Sequence, residues 1–408
     1  MKAVVWHGVG DIRLDTVHDP KIEQATDAVI RLTASAICGT DLHMVRGTLT
    51  PMVPGTILGH ESVGIVEEVG KDARNFRVGD RVVVASTISC GFCSYCRSGY
   101  YSQCDTANPN GPSAGTSFFG GPKDSGPING LQAEYARVPF APSTLIKLPD
   151  EVTDDQAILL SDIFPTGYFG AELAGIKPGH TVAVFGCGPV GQFAITSAFL
   201  MGAGRVFAVD TEPSRLQMAS VQGAEPINFN EEDPVETLQR LTGGIGPDCV
   251  IDAVGVEAEP ATSGPAAKQS AQMAQDFAEQ VEKVAPKQNP DSGFTPGKAP
   301  SQAALWAVKA VAKGGTISTI GVYPQTMQAY PFGTAFNKNL TLRGGNCNHR
   351  KYISKLVDLV QNGTLDPTLI LTEREPLTDA LTAYKIFNER RPGWVKVELV
   401  PSAMTANA

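Results

Sequence analysis

TVAVFGCGPVGQFAITSAFLMGAGRVFAVD, residues 181–210, decides how this chain folds. An apolar run of strand character, TVAVF, ends on Gly186, Gly188 and Gly191 and passes straight into a helical run that begins at Pro189 and Val190. A second strand, RVFAVD, closes on Asp210, 24 positions after Gly186. Strand, glycine turn, helix and strand in that order make the core of a dinucleotide-binding βαβ unit. The glycines permit a tight turn and close approach of backbone to a pyrophosphate, while the helix start offers free N–H groups to the anion. Asp210 is placed to accept hydrogen bonds from adenosine ribose hydroxyls and to repel a 2′-phosphate, so the cofactor reading is NAD. Arg215, just past that aspartate, is a candidate to flank the adenine ribose.

Working outward, the same alternation continues. A helical stretch, DQAILLSDIFPTGYFGAELAG, precedes the motif; SRLQMASVQG and the strand DCVIDAVG follow it; AALWAVKAVAKGG and TISTIGVYP complete the series. Strands alternating with helices predict an α/β fold with a doubly wound parallel sheet. Residues 257–300 interrupt the rhythm with a stretch rich in Ala, Pro, Gln, Ser and Lys. Within it, Met273, Phe277, Val281 and Val284 are spaced for a short amphipathic helix. Residues 1 to about 150 read differently: KAVVW, AVIRLTA, SVGIVEEVG, DRVVVAS and AEYARVP are short β-branched runs between turn residues, which predicts a mostly β domain.

The totals limit the functions available. A chain of 408 residues, 42% hydrophobic and 18% charged, is long enough for two domains with their own cores. A formal net charge of -9 speaks against a nucleic-acid or anionic-membrane partner. No run approaches a membrane span and the start, MKAVVWHGVGD, lacks the apolar core of a leader, so a cytoplasmic location and a small-molecule substrate are expected.

Four of the eight cysteines lie in SCGFCSYCRSGYYSQC, residues 89–104. Cys90, Cys93, Cys96 and Cys104 can converge from one loop as a closed tetrahedral zinc site with no position left for substrate; the spacing alone also permits an iron–sulfur cluster. Chemistry then has to come from elsewhere. AICGTDLH supplies Cys38, Thr40 and His43, and GHE supplies His60 and Glu61, but one cysteine and one histidine do not complete a metal site.

GHE at 59–61, the pair Gly79 and Asp80, the four-cysteine lobe and GCGPVG occur in the order found in zinc-dependent medium-chain alcohol dehydrogenases, and the chain resembles that family over essentially its whole length. The resemblance implies a GroES-like catalytic domain from residues 1–160, with a zinc lobe at about 88–106. It implies a Rossmann NAD domain at 161–344 carrying the insert, and a return to the catalytic domain at 345–408. It also implies two zinc ions per subunit. Cys38 and His60 match the first two ligands of the catalytic ion. In LLSDIFPTGYFG the third falls on Asp162; many members carry cysteine there, and the departure to aspartate resembles the glutathione-independent formaldehyde dehydrogenase branch, which shares the SDI-PTG run. Glu61 matches a carboxylate that approaches the metal during ligand exchange, and Thr40 and His43 match a proton relay. The implied reaction is hydride transfer between NAD and a small alcohol or hydrated aldehyde, extended to aldehyde dismutation if the insert holds the cofactor tightly. Polyol, diol or threonine dehydrogenases are the nearest alternatives, and a non-enzymatic NAD-binding zinc protein a more distant one. A homotetramer or homodimer is the implied assembly.

Overall fold

The glycine turn leaves the strand Thr181–Phe185 and opens the helix Pro189–Leu200, with Gly188 as its N-cap and proline in its first turn. Six strands form one sheet in the order Glu225–Asn228, Arg205–Asp210, Thr181–Phe185, Cys249–Asp252, Thr316–Thr319, Thr341–Gly344. All five pairings are parallel. Numbered along the chain this is 3-2-1-4-5-6, the doubly wound order, in which the strand order reverses beside the glycine turn. Both faces of the sheet are covered, and the two-residue side-chain period sorts them. Phe185, Phe207, Val209 and Val250 pack with Trp306 on one side; Val182, Val184, Val206, Ala208 and Ile251 pack with Ala194 and Ala198 on the other.

The structure is a computed structural model that describes residues 1–111 and 114–401, and the chain divides into two compact units. The doubly wound sheet belongs to the unit formed by Thr166–Gln288 and Thr295–Asn346. In its insert the helix expected from the spacing runs Ala274–Val284, preceded by Ala267–Gln272, and buries Phe277 and Val284. The insert is tied to the end of the strand Glu225–Asn228: Thr262 N donates to Asn230 Oδ1 and Ser263 Oγ to the Asn230 carbonyl, both at 2.8 Å.

The other unit contains residues 1–165, Asn289–Phe294 and the chain from Cys347 on; residues 402–408 at its end lie outside the described residues. Its main sheet runs Glu373–Pro376, Val397–Val400, Ala28–Ile37, Ser62–Val69, Arg81–Val84, Leu145–Lys147, and Tyr135–Val138 also pairs with Ala28–Ile37. A smaller sheet joins Asp11–Thr16, Lys2–Gly8 and Thr56–Ile57. The pairing of Val397 with Ile37 brings the late strand against the end of an early one. Six residues of the insert, Asn289–Phe294, group with this unit, and Phe294 is buried in the same core as Trp6, Tyr384 and Phe387.

Two glycines of the turn do different work. Gly186 has φ +85°, in the left-handed region, and a Cβ on Gly191 would lie 1.8 Å from the Gly186 carbonyl oxygen. A Cβ on Gly188 would meet nothing closer than Arg215 Nη1 at 3.9 Å. Gly191→Ala is therefore expected to destabilise the chain by about 1–3 kcal/mol, seen as a lower denaturation midpoint, whereas Gly188→Ala folds with a midpoint close to that of the parent.

Candidate active site

Cys38 ends the strand Ala28–Ile37 and caps the helix Gly39–Arg46, where its N–H donates to Asp41 Oδ2 at 2.9 Å. His60 and Glu61 occupy the loop before Ser62–Val69, entered through Gly59 at φ +92°. Asp162 falls in the two-residue break between the helices Asp154–Leu160 and Ile163–Ala174. The first of these starts in a capping box: Thr153 Oγ1 accepts from Gln156 N, and Gln156 Oε1 accepts from Thr153 N. It then buries Ala157, Ile158, Leu159 and Leu160, which fixes the height at which Asp162 emerges.

These separate routes meet. Donor atoms of Cys38, His60, Glu61 and Asp162 lie within 4.8 Å of one another, and all four residues are buried. Asp162 Oδ2 is 3.3 Å from His60 Nε2 and 3.6 Å from Cys38 Sγ. The opposite edges of the same groups are held elsewhere. His60 Nδ1 is 3.1 Å from Asp41 Oδ1, and Asp162 Oδ1 is 2.5 Å from His349 Nε2, whose Nδ1 meets Thr87 Oγ1 at 3.1 Å. Asp41 is held in turn by Gln132 Nε2, and Gln132 by the Tyr384 hydroxyl. The Glu61 carboxylate pairs with Lys396 Nζ, which also donates to the Ile37 carbonyl at 3.0 Å.

The electrostatics set burial against the neighbouring charges. Burial pushes the Cys38 thiol up to about 11, with Glu61 and Asp162 adding to the rise and His60 opposing it. Burial also raises the Glu61 carboxyl, to about 7, against the pull of Lys396. Burial works against the charged form of His60, yet Asp41 and Cys38 outweigh it and raise the ring well above its usual range. For Asp162 burial is outweighed by His349 and His60, which hold the carboxyl well below the ordinary carboxylate range. A pocket in which acidic groups crowd an imidazole is suited to a cation. Thiolate, imidazole and carboxylate, the last two each held at the other edge, fit a borderline dication such as zinc.

Thr40 and His43 lie three apart on the helix Gly39–Arg46, hence on neighbouring positions of one face. Thr40 is half-buried; His43 is buried, with Nδ1 2.7 Å from Thr48 Oγ1. In the four-cysteine lobe all sulfurs lie within 4.8 Å, with Cys90 to Cys96 at 4.0 Å and Cys93 to Cys104 at 3.9 Å. None of the four is in a disulfide. Zn–S bonds of about 2.3 Å in a tetrahedron place sulfurs about 3.8 Å apart, so the lobe has the dimensions of a closed four-thiolate site. N–H groups of Phe92 and Cys93 point to the Cys90 sulfur, and those of Cys90 and Ala107 to the Cys104 sulfur. Burial opposes ionisation of Cys93, but the Cys96 N–H and the neighbouring thiols bring it down to about 7.

Among the described residues the glycine-turn group is gathered in the other unit. Asp210 Oδ2 accepts from Cys187 N at 2.7 Å, Oδ1 accepts from Thr211 and Glu212 N, and the Arg215 guanidinium stands beside Gly188. Asp210 thus braces the glycine turn through Cys187.

Sequence reasoning missed Asp41, Gln132, His349 and Lys396. Asp41 had a signal, since it stands three residues after Cys38 at a capping position; the others are single residues in unremarked runs. Because Asp41 fixes His60 through its far nitrogen, Asp41→Ala is expected to weaken cation binding at the pocket by about 10- to 100-fold, measured by competition against a chelator.

Comparison with known proteins agrees with this architecture. The family model for the alcohol dehydrogenase GroES-like domain matches residues 24–150, and that for zinc-binding dehydrogenase matches 189–274. An uncharacterized zinc-type alcohol dehydrogenase-like protein, AdhB, of Bacillus subtilis (strain 168) is 37% identical over 98% of this chain and all of its own length. A glutathione-independent formaldehyde dehydrogenase of Pseudomonas aeruginosa (strain LESB58) is 39% identical over 63% of this chain and 66% of its own. Among solved structures, alcohol dehydrogenase TADH from Thermus sp. ATN1 superposes with a TM-score of 0.79 at 33% identity, covering 98% of this chain and all of the other. With relatives aligned from end to end on a fold of this topology, the chain belongs to the zinc-dependent medium-chain alcohol dehydrogenase family.

Proposed function

We propose that this oxidoreductase moves a hydride between NAD and a small alcohol or hydrated aldehyde. In this reading a catalytic zinc is held by Cys38, His60 and Asp162, and a second, structural zinc by Cys90, Cys93, Cys96 and Cys104. The observation that carries the reading is the convergence of Cys38 Sγ, His60 Nε2 and Asp162 Oδ2, while His60 Nδ1 and Asp162 Oδ1 are engaged on their outer sides. One thiolate, one carboxylate and a neutral imidazole balance a dication. Bound there, zinc supplies Lewis acidity that lowers the cost of deprotonating a hydroxyl, and nicotinamide supplies the hydride acceptor.

The remaining steps belong to the protein. Thr40 accepts the substrate proton and passes one on, since a hydroxyl can do both at once. His43 is the later station of that relay, held against Thr48. Glu61, paired with Lys396, is the carboxylate available to the metal during exchange. Asp162 in place of a second thiolate donates less charge and leaves the metal the stronger acid. In the cofactor unit, the backbone of Gly186, Gly188, Pro189, Val190 and Gly191 faces the pyrophosphate. Asp210 selects an unphosphorylated ribose and Arg215 flanks it. The hydrogen bonds from the insert to Asn230 support its holding the adenine end, which favours slow cofactor release and aldehyde dismutation. The named formaldehyde dehydrogenase relative points to short aldehydes as the first substrates to try. A cytoplasmic homotetramer or homodimer completes the proposal.

The decisive experiment couples metal analysis with hydride-transfer assays on formaldehyde, short aldehydes, and primary and secondary alcohols. Two zinc per chain and NAD-linked turnover are expected; a protein without zinc that still turns over would overturn the reading. Asp162→Ala is expected to fold normally and lose about 10³-fold in kcat/KM, on the order of 4 kcal/mol. Cys93→Ser should instead lose one zinc and lower the denaturation midpoint. Asp210→Ser is expected to narrow the preference for NAD over NADP by about tenfold or more, about 1.4 kcal/mol, read as the ratio of kcat/KM values.

A further inference from the structure

The four-cysteine lobe and the donor pocket are joined by two adjacent side chains. Asn348 is buried just before the helix His349–Gln361. Its Oδ1 accepts from both the N–H and the hydroxyl of Ser102, each at 2.9 Å. Ser102 stands two residues before Cys104. The next residue, His349, is also buried and spans between Thr87 Oγ1 at 3.1 Å and Asp162 Oδ1 at 2.5 Å. Thr87 stands three residues before Cys90 and is bridged through its backbone to Phe118. Both roots of the lobe therefore grip the dipeptide that holds Asp162.

We propose that Asn348 and His349 form a positioning pair that transmits the closed geometry of the lobe to Asp162, so that metal in the lobe raises the affinity of the Cys38–His60–Asp162 pocket for its own ion. This rests on the two-metal reading above. The chemistry of the contacts gives the direction. With the Thr87 hydroxyl donating to Nδ1, His349 carries its proton on Nε2 and donates it to Asp162 Oδ1, which turns Oδ2 toward Cys38 and His60. A carboxylate fixed at one oxygen has lost the rotation it would otherwise have to surrender on binding the ion. When the lobe opens, Ser102 releases Asn348, the helix start loosens, and that preorganisation is lost.

The test uses full-length protein reconstituted with Co2+, whose absorption separates a four-thiolate site from a one-thiolate site, with affinities taken by chelator competition. Asn348→Ala is expected to lose about tenfold or more in affinity at the one-thiolate site while its lobe still fills. Asn348→Asp, which keeps the acceptor for Ser102, should stay within about threefold of the parent, a rescue that general loosening would not produce. His349→Ala should lose more than His349→Gln, which retains a donor for Asp162, and this pair decides the question if Asn348→Ala does not fold. Cys93→Ser, with its lobe metal gone, should show the same weakened pocket. Parental pocket affinity in folded Asn348→Ala and Cys93→Ser would overturn the coupling and leave the two-metal reading standing. Failure of the parent protein to fill the one-thiolate site would overturn that reading and the coupling with it.

Discussion

A carboxylate can stay charged inside a protein only when both of its oxygens are provided for, and Asp162 is where this chain meets that demand. One oxygen is taken by His349; the other faces His60 and Cys38. The rest of the catalytic unit is arranged around the arrangement this requires. The capping box at Thr153 sets the height of the helix that presents Asp162, the Cys38 turn is closed by Asp41, and Asp41 also orients His60. Removing Asp41, His60 or His349 leaves a buried polar or charged neighbour short of its partner, so the pocket is cooperative in its construction.

The doubly wound unit could be read directly from the sequence because its signals are local. TVAVF, three glycines, a helix and Asp210 fall within 30 residues, and the strand–helix alternation announces a parallel sheet, whereas the 3-2-1-4-5-6 order is seen only in the folded chain. The cysteine lobe was legible for the same reason, since its four sulfurs come from one loop. The pocket was legible only in halves. Cys38 and His60 carry the chemistry of ligands, but Asp162 could be placed only through family resemblance, because nothing in an aspartate between two helices distinguishes it from an ordinary cap.

His349 and Lys396 lay beyond reach for a further reason. Their roles arise from contacts across 187 and 335 positions of chain: the pairing of a late strand with an early one brings Lys396 to Glu61, and the start of the helix His349–Gln361 brings His349 to Asp162. The insert illustrates the converse limit. Its helix was visible from Phe277 and Val284, yet the grouping of Asn289–Phe294 with the catalytic unit, and the burial of Phe294 in that unit's core, are properties of packing that composition does not announce.

The same separation along the chain sets an order of birth. On a ribosome, the four-cysteine lobe has all its sulfurs once Cys104 has been made, while most of the protein is still untranslated. The other pocket has its donors after Asp162, but waits for His349 to steady that aspartate and for Lys396, the residue before the final strand, to occupy Glu61. In the two-metal reading proposed above, metallation divides between an early event during synthesis and a late one that follows the closing of the last strand.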